Sequence, residues 1–402
     1  MQHQFSKQYD VIVAGAGVAG VAAALEAARG GMRTALIEKS ILVGGLATAG
    51  LVCIYLPLCD GNGTQVTFGI AEELLHASLK YGPGEVPPGW SALRDGKEQQ
   101  RYRVVFSPAA FVLALDELLE AAGVDVWLDT LICAAVMRGD RVRGLAVENK
   151  SGRGALLAAC VVDATGDADV AHFAGAPCPE ADNWLSLWAL GVSLERAEQA
   201  VSNGRGDALL EIRFAGGGSN GEQQPRGMPK LRGTDGKSVT TYAVASRRLL
   251  REQYHALQAR APAGRHNAYP ITLPSMAQFR TTRRIAGRTT MRAGQHGMRR
   301  RDSIGLVADW RKPGFVWEIP YAALLPRAVK GLLAAGRCIS SRGDAWEVTR
   351  VIPAAALSGQ AAGAAAVLAV KHRCTPDALD ARLVQAHLAA KAIPLHLAEL
   401  GL

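Results

Sequence analysis

From Tyr9 to Glu38 a short apolar run, YDVIVAG, leads into VAGVAAALEAARGG, whose small apolar residues recur at helical spacing, and then into a second run, TALIE. This pattern predicts strand, turn, helix, strand: one βαβ unit. GIAEELLHASLKYG, from Gly69, again has helical spacing, and the Gly/Pro-rich YGPGEVPPGW breaks it. A third helix is expected over SPAAFVLALDELLEAAG, with Ser107 as its cap and Pro108 in its first turn. Strands then dominate: VDVWLD, ICAAVM, RVRGLAVEN and AACVVDA are separated by polar turns such as RGDR and KSGRG.

Residues 183–327 differ in character. Long polar and Gly-rich loops surround an arginine-laden helix around SRRLLREQYHALQARA, as expected of an inserted substrate or cap region. Near Gly331 the earlier pattern returns with an apolar strand, GLLAAG, then a loop and an Ala-rich helix from about Pro353 to Val370. Ser358, Gly359, Gln360 and Gly363 within that helix suggest close packing rather than a membrane span. From Thr375, with Pro376 behind a capping hydroxyl, one last amphipathic helix is expected.

With 402 residues and 49% apolar positions, the chain can bury a substantial core in one large or two interleaved domains, so disorder is not its main state. The opening MQHQFSKQYD lacks the apolar stretch of a secretory signal, and a soluble, cytoplasmic protein without membrane attachment is expected. Seven scattered cysteines, never spaced CxxC, argue against a disulfide framework or a metal cluster. A net charge of +9 favours anionic ligands, so a small-molecule substrate, including an anionic one, suits the chain. Nucleic acid is not expected, because the basic residues are dispersed and aromatics are only 6%. A homo-oligomer is compatible with the sequence.

Gly15, Gly17 and Gly20 form GxGxxG between the first strand and helix. The first permits the tight turn, the second lets backbone approach a diphosphate, and the third lets helix and strand pack closely. Glu38, ending the second strand, is placed to accept hydrogen bonds from ribose hydroxyls. Gly216, Gly218 and Gly221 match the same pattern, but GEQQPRGMPK follows, with two prolines and no apolar helical face, so that stretch reads as a loop. No second βαβ unit is evident, which argues against a dedicated nicotinamide-nucleotide domain.

Four further segments carry a family resemblance. KSILVGGLATAG contains Gly44, Gly45 and Thr48 in a GGxxT pattern; FGIAEELLHASLKYG contains GIAEEL; VVDATGDADVAHFAGAP carries ATGD at Ala164, Thr165, Gly166 and Asp167. The fourth runs from IPYAALLP through AGR and RV-x-P to GQAAG, and TRRIAG spans 282–287. With these motifs the chain resembles the FAD-dependent oxidoreductase family with a glutathione-reductase-like flavin domain. The resemblance implies an α/β fold: a Rossmann-like FAD-binding domain, parallel sheet plus antiparallel meander, with an inserted α+β substrate or cap domain. The expected boundaries are 1–50, 104–180 and 328–375 for the discontinuous FAD domain, 51–103 and 181–327 for the substrate region, and 376–402 for a C-terminal helix. FAD is the expected cofactor. Its expected contacts are Gly15, Ala16, Gly17, Val18, Ala19, Gly20, Glu38 and Lys39; Gly44, Gly45, Leu46 and Thr48; Ala164, Thr165, Gly166 and Asp167; and Gly336, Arg337, Val351 and Pro353.

Pro353 in the first turn of the Ala-rich helix would aim that helix's N-terminal dipole at the flavin ring. Asp167 is placed to hold ribityl hydroxyls or loop amides, or else acts only as a turn residue. For catalysis the candidates are Asp344, Glu347 and Arg350, in SSRGDAWEVTR, where a carboxylate can take a substrate proton and an arginine, including Arg342, can bind a carboxylate. The alternative is a set of internal ion pairs that fix this loop. Arg283 and Arg284 either reach the mouth of the site or are solvated. Cys53 and Cys59 are expected to be inert packing residues. The expected reaction is hydride transfer between a small organic substrate and flavin N5 by a dehydrogenase or oxidase. A flavin-dependent monooxygenase and a non-catalytic flavin-binding accessory protein are the alternatives.

Overall fold

A computed structural model describes residues 4–86, 103–218, 221–260 and 264–402. Residues 87–90 of the expected helix breaker, and Ser219 and Asn220 of the second glycine pattern, lie outside them. The chain divides into unit 1, formed by Met1–Gly45, Ile54–Pro179 and Arg283–Leu402, and unit 2, formed by Leu46–Cys53 and Glu180–Thr282.

Unit 1 opens with the expected βαβ unit: β1 (Phe5–Ala14), α1 (Val18–Arg29) and β2 (Thr34–Ile37). Val11–Ala14 run parallel to Thr34–Ile37. Ile12, Leu25, Leu36 and Ile37 are fully buried, each worth about 1.5–3 kcal/mol of removed apolar surface. Two helices follow, α2 (Ile70–Leu79) and α3 (Pro108–Ala121), and Ser107 caps α3 by accepting from Ala110 N at 3.3 Å. β3 (Asp125–Trp127) adds parallel to β2. β4 (Leu131–Arg138), β5 (Arg141–Asn149) and β6 (Gly152–Asp163) then form the antiparallel meander. β6 joins the two halves of the sheet: its first half pairs with β5, and Gly154–Asp163 run parallel to β1. A short helix, α4 (Asp169–Phe173), follows the ATGD turn.

Unit 2 holds β7 (Ser186–Ser193), β8 (Glu211–Gly216), α5 (Gly236–Gln258) and β9 (Ala268–Thr272). The three strands form an antiparallel sheet in the order β8-β7-β9. Leu187, Ala189 and Ala215 on one face of that sheet pack against Leu250 and Tyr254 of α5. The helix begins ten residues before the arginine-laden stretch, because Asp235 accepts from Ser238 N at 2.7 Å and caps it there. Gly216 closes β8 and the chain continues as a loop, as expected of the second glycine pattern.

Returning to unit 1, β10 (Ser303–Ala308) and β11 (Val316–Pro320) form a hairpin, and β12 (Leu332–Ala334) runs parallel to the end of β6. Residues 283–327 fold with this unit rather than with the insertion. Their backbone is tied to it by Ile285 N donating to Cys338 O and Met291 N to Ser340 O, both at 2.9 Å. α6 (Asp344–Thr349), α7 (Ile352–Lys371) and α8 (Ala381–Ala389) complete the chain. α7 is long and apolar enough to span a bilayer, yet 94% of its apolar window is buried within the protein. It lies against α1 so closely that a Cβ on Gly359 would sit 2.1 Å from Ala19 O, and one on Gly363 2.5 Å from Ala23 O. The last helix begins later than Thr375. Pro376 belongs to a short 3-10 turn, and Asp380 supplies the cap by accepting from Arg382 N at 3.0 Å.

Candidate functional site

The β1–α1 turn is closed on two sides and open on a third. A Cβ on Gly15, at φ +90°, would meet Ala164 O at 2.7 Å, and one on Gly20 would meet Gly15 O at 1.8 Å. A Cβ on Gly17 would meet nothing within 4 Å among the described residues. The first helical bond runs from Val21 N to Gly17 O at 2.9 Å, so the amides of Val18, Ala19 and Gly20 precede any intrahelical acceptor. Open space beside three such amides at a helix N-terminus fits a dinucleotide diphosphate.

Glu38 braces this turn. Its Oε2 accepts from Ala16 N at 2.9 Å and its Oε1 from Ser40 N at 3.0 Å, leaving each oxygen lone pairs for a further donor. Gly44 N donates to Ala16 O at 2.7 Å, and a Cβ on Gly45 would lie 2.9 Å from Gly17 Cα, so the GG pair abuts the turn. Leu46 and Thr48 belong to the Leu46–Cys53 segment of unit 2, where Thr48 is buried and its carbonyl accepts from Leu51 N at 3.0 Å.

At the end of β6, Asp163 organises the ATGD turn, a role missed in the sequence. Its carboxylate accepts from Thr165 N at 3.2 Å, Thr165 Oγ1 at 2.7 Å and Ala171 N at 3.0 Å. Complete burial pushes its pKa up to about 6, against the pull of those donors. An Asp two residues before a Thr, at the end of an apolar run, was the available signal. Asp167 pairs with Arg337 (Nη2 to Oδ1, 2.7 Å), and Arg337 Nε donates to Gly166 O at 2.8 Å. Arg283 is buried; it donates to Asp167 O at 3.0 Å and to Asp169 at 2.6 Å. Asp169 titrates above its ordinary value through burial first and Asp167 second, with Arg283 and Lys39 opposing. Lys39 is therefore drawn to the same turn.

Gly336 links this turn to α7. Its amide donates to Ser358 Oγ at 2.9 Å, and a Cβ there would lie 2.8 Å from that of Ala19. Val351 caps α7 in extended geometry, Pro353 stands in the first turn, and the first helical bond runs from Ala355 N to Val351 O at 2.8 Å.

The residues expected to be catalytic are all ion-paired. Asp344 meets Arg311 at 2.6 Å and Lys312 at 3.1 Å. Burial disfavours its charge, but hydrogen bonds from Lys312 and Arg311 outweigh that and hold its carboxyl below the usual range, which makes it a weak proton acceptor. Glu347 accepts from Arg350 through both Nε, at 3.1 Å, and Nη2. Cys53 is buried, which pushes its thiol up to about 11 and suits packing rather than thiolate chemistry.

Residues 10–187 and 191–388 match the family described as FAD dependent oxidoreductase. A digeranylgeranylglycerophospholipid reductase of Picrophilus torridus is 30% identical over 143 residues, 36% of this chain and 35% of that protein. One of the same description from Thermoplasma volcanium is 29% identical over 168 residues, 42% of each. The chain thus spans well under half the length of these curated relatives. Among solved structures, a geranylgeranyl bacteriochlorophyll reductase-like protein from Thermoplasma acidophilum superposes with a TM-score of 0.50 at 16% identity, over 96% of this chain and 84% of that one. A p-nitrophenol 4-monooxygenase from Pseudomonas putida gives 0.51 at 13% identity, over 95% and 84%. At such identities the two structures speak for the fold alone.

Proposed function

The chain belongs to the FAD dependent oxidoreductase family, and from that premise we propose that it transfers hydride between a carbon centre of an organic substrate and flavin N5. Bound FAD supplies the redox chemistry by exchanging two electrons and a proton with the substrate. The observation that carries the proposal is the open face of Gly17 beside three amides free of intrahelical acceptors, with α7 packed against the same helix. In this reading Gly15 to Gly20 receive the diphosphate, and Glu38 uses its remaining lone pairs for ribose hydroxyls. Asp167 and Arg337, already locked together, orient the ribityl chain. The α7 start at Val351 and Pro353 directs its partial positive charge toward the pole of the ring that becomes anionic on reduction.

Both curated relatives are reductases by description, which favours hydride transfer over oxygen insertion. Unit 2 by itself presents Trp188, Ile212 and Phe214 on the sheet face opposite α5, with Phe214 53% exposed, and this favours an apolar substrate body. None of the seven cysteines is held in a disulfide, which fits a reducing, cytoplasmic setting. The test is anaerobic: dithionite-reduced holoprotein is mixed with a panel of apolar alkenes and enals. Flavin reoxidation with formation of saturated product is expected. Product that forms only with oxygen, and carries labelled oxygen, would sink the proposal.

A further inference from the structure

The arginines near the ATGD turn and the loop before α7 are mostly neutralised. Arg283 is matched by Asp169, Arg337 by Asp167, Arg311 by Asp309 and Asp344, and Arg350 by Glu347. Arg284 and Arg342 are the exceptions: among the described residues neither forms an ion pair with a carboxylate. Arg284 is partly buried, and its guanidinium makes one long hydrogen bond, from Nη1 to Ile285 O at 3.4 Å. Its Cζ lies 5.9 Å from the ring centroid of Trp346. Burial, and then the like charge of Arg342, hold its pKa below the ordinary arginine value. Such a cation, half withdrawn from water beside another, is costly unless an anion joins it.

The geometry is that of a prepared site. Trp346 Nε1 is committed to Arg337 O at 2.7 Å, which fixes the indole and leaves its face to the guanidinium. Arg284 follows Arg283, which is fastened to Asp167 O, and the backbone amide of Arg342 is anchored to Met291 O at 3.0 Å. Both backbones are therefore held, with Arg342 exposed and Arg284 partly buried, while neither guanidinium meets a carboxylate among the described residues.

We propose that Arg284, Arg342 and Trp346 form a subsite for a phosphate or carboxylate group other than the diphosphate of the cofactor. The anion belongs to the substrate or to a reducing co-substrate, and the subsite rests on the reading of unit 1 as the flavin-binding body. Two arginine forks suit the flat, bidentate face of such an oxyanion.

The experiment titrates purified holoprotein with inorganic phosphate, followed by calorimetry and by the flavin difference spectrum. Wild type, Arg284→Ala, Arg342→Ala and Arg284→Lys are compared. Saturable binding is expected in the wild type, with partial retention in Arg284→Lys and unchanged FAD content in every variant. Each alanine variant should weaken binding by about tenfold or more, the loss typical of a charge-assisted partner. Competition by NADPH would assign the anion to the electron donor, and competition by an organic phosphomonoester or carboxylate to the substrate. No saturable binding in the wild type, undiminished binding in both alanine variants, or competition from none of these compounds overturns the subsite. So does loss of FAD from Arg284→Ala, which would give the arginine to the cofactor's own phosphates. None of these readouts needs turnover, so failure of hydride transfer in the anaerobic assay would leave them intact.

Discussion

Gly17 and Gly20, three residues apart, have opposite surroundings, and the difference separates folding from ligand binding. A methyl on Gly20 meets backbone at 1.8 Å, so Gly20→Ala must push α1 off the β1 turn; overpacking of this kind costs about 1–3 kcal/mol. Gly17 has ordinary extended geometry, φ −64° and ψ 174°, and open space, so Gly17→Ala should keep its melting temperature while the methyl occupies the diphosphate position. The expected outcome is a lowered melting temperature and little FAD in the first variant, and a normal melting temperature with little FAD in the second; a fully yellow Gly17→Ala protein would refute the cradle. Asp163 gives a second test. Its folded pKa, about 6, lies above the ordinary carboxyl value, so the stability it confers is full below that ordinary value and is lost as pH rises through about 6. Over about two pH units that amounts to roughly 3 kcal/mol. Asp163→Asn should therefore show a flatter dependence of urea unfolding on pH between about 4 and about 6. Equal slopes in the two proteins would contradict the burial argument.

At the scale of elements, the parts legible in the sequence are those with local causes. The β1–α1–β2 unit follows from apolar spacing and three glycines, the α3 start from Ser107 and Pro108, and the tight packing of α7 from its run of small residues. What was missed depends on distant partners. Glu26, after an apolar run in α1, is 1% exposed, and Gln360, His387 and Lys391 meet it from more than 300 residues away. No periodicity in α1 announces them. Those three donors outweigh the burial that would otherwise favour protonation, so Glu26 stays charged and ties α7 and α8 to α1. The α1–α7 contact is itself testable. Gly359→Ala gains up to ~1 kcal/mol of helix propensity, but a methyl 2.1 Å from Ala19 O forces two helices apart, and the larger cost should win by about 1–2 kcal/mol. A lower urea midpoint at an unchanged m-value is expected; a higher midpoint would mean that the helices separate without cost.

For the whole molecule, the question is whether the inserted segment is needed for the flavin-binding body to stand. The chain leaves unit 1 after Pro179 and returns at Arg283, and the two sides of this break are hydrogen-bonded neighbours: Arg284 N donates to Pro179 O at 3.1 Å and Ala286 N to Pro177 O at 3.0 Å. An insertion whose ends lie side by side costs its host little loop-closure entropy when removed. The change of composition after residue 180 marked the departure; the return was hidden, because residues 283–327 are as polar and arginine-rich as the insertion and join unit 1 through distant partners, such as Ile285 N on Cys338 O and Arg283 on Asp169, that no local pattern announces. Replacing residues 180–282 by a short Gly-containing turn should therefore leave a folded unit 1 that still takes up FAD. Retention should weaken, because Leu46–Cys53 loses Ser275 N on Ala49 O, at 2.9 Å, and Gln278 Nε2 on Gly50 O. Dithionite should still bleach the bound flavin, while turnover of any substrate that rests on the apolar sheet of unit 2 is abolished. FAD content after gel filtration, with circular dichroism for the fold, decides the matter: an unfolded or colourless product would mean that the sheet of unit 1 cannot hold its cofactor without the segment inserted in its sequence.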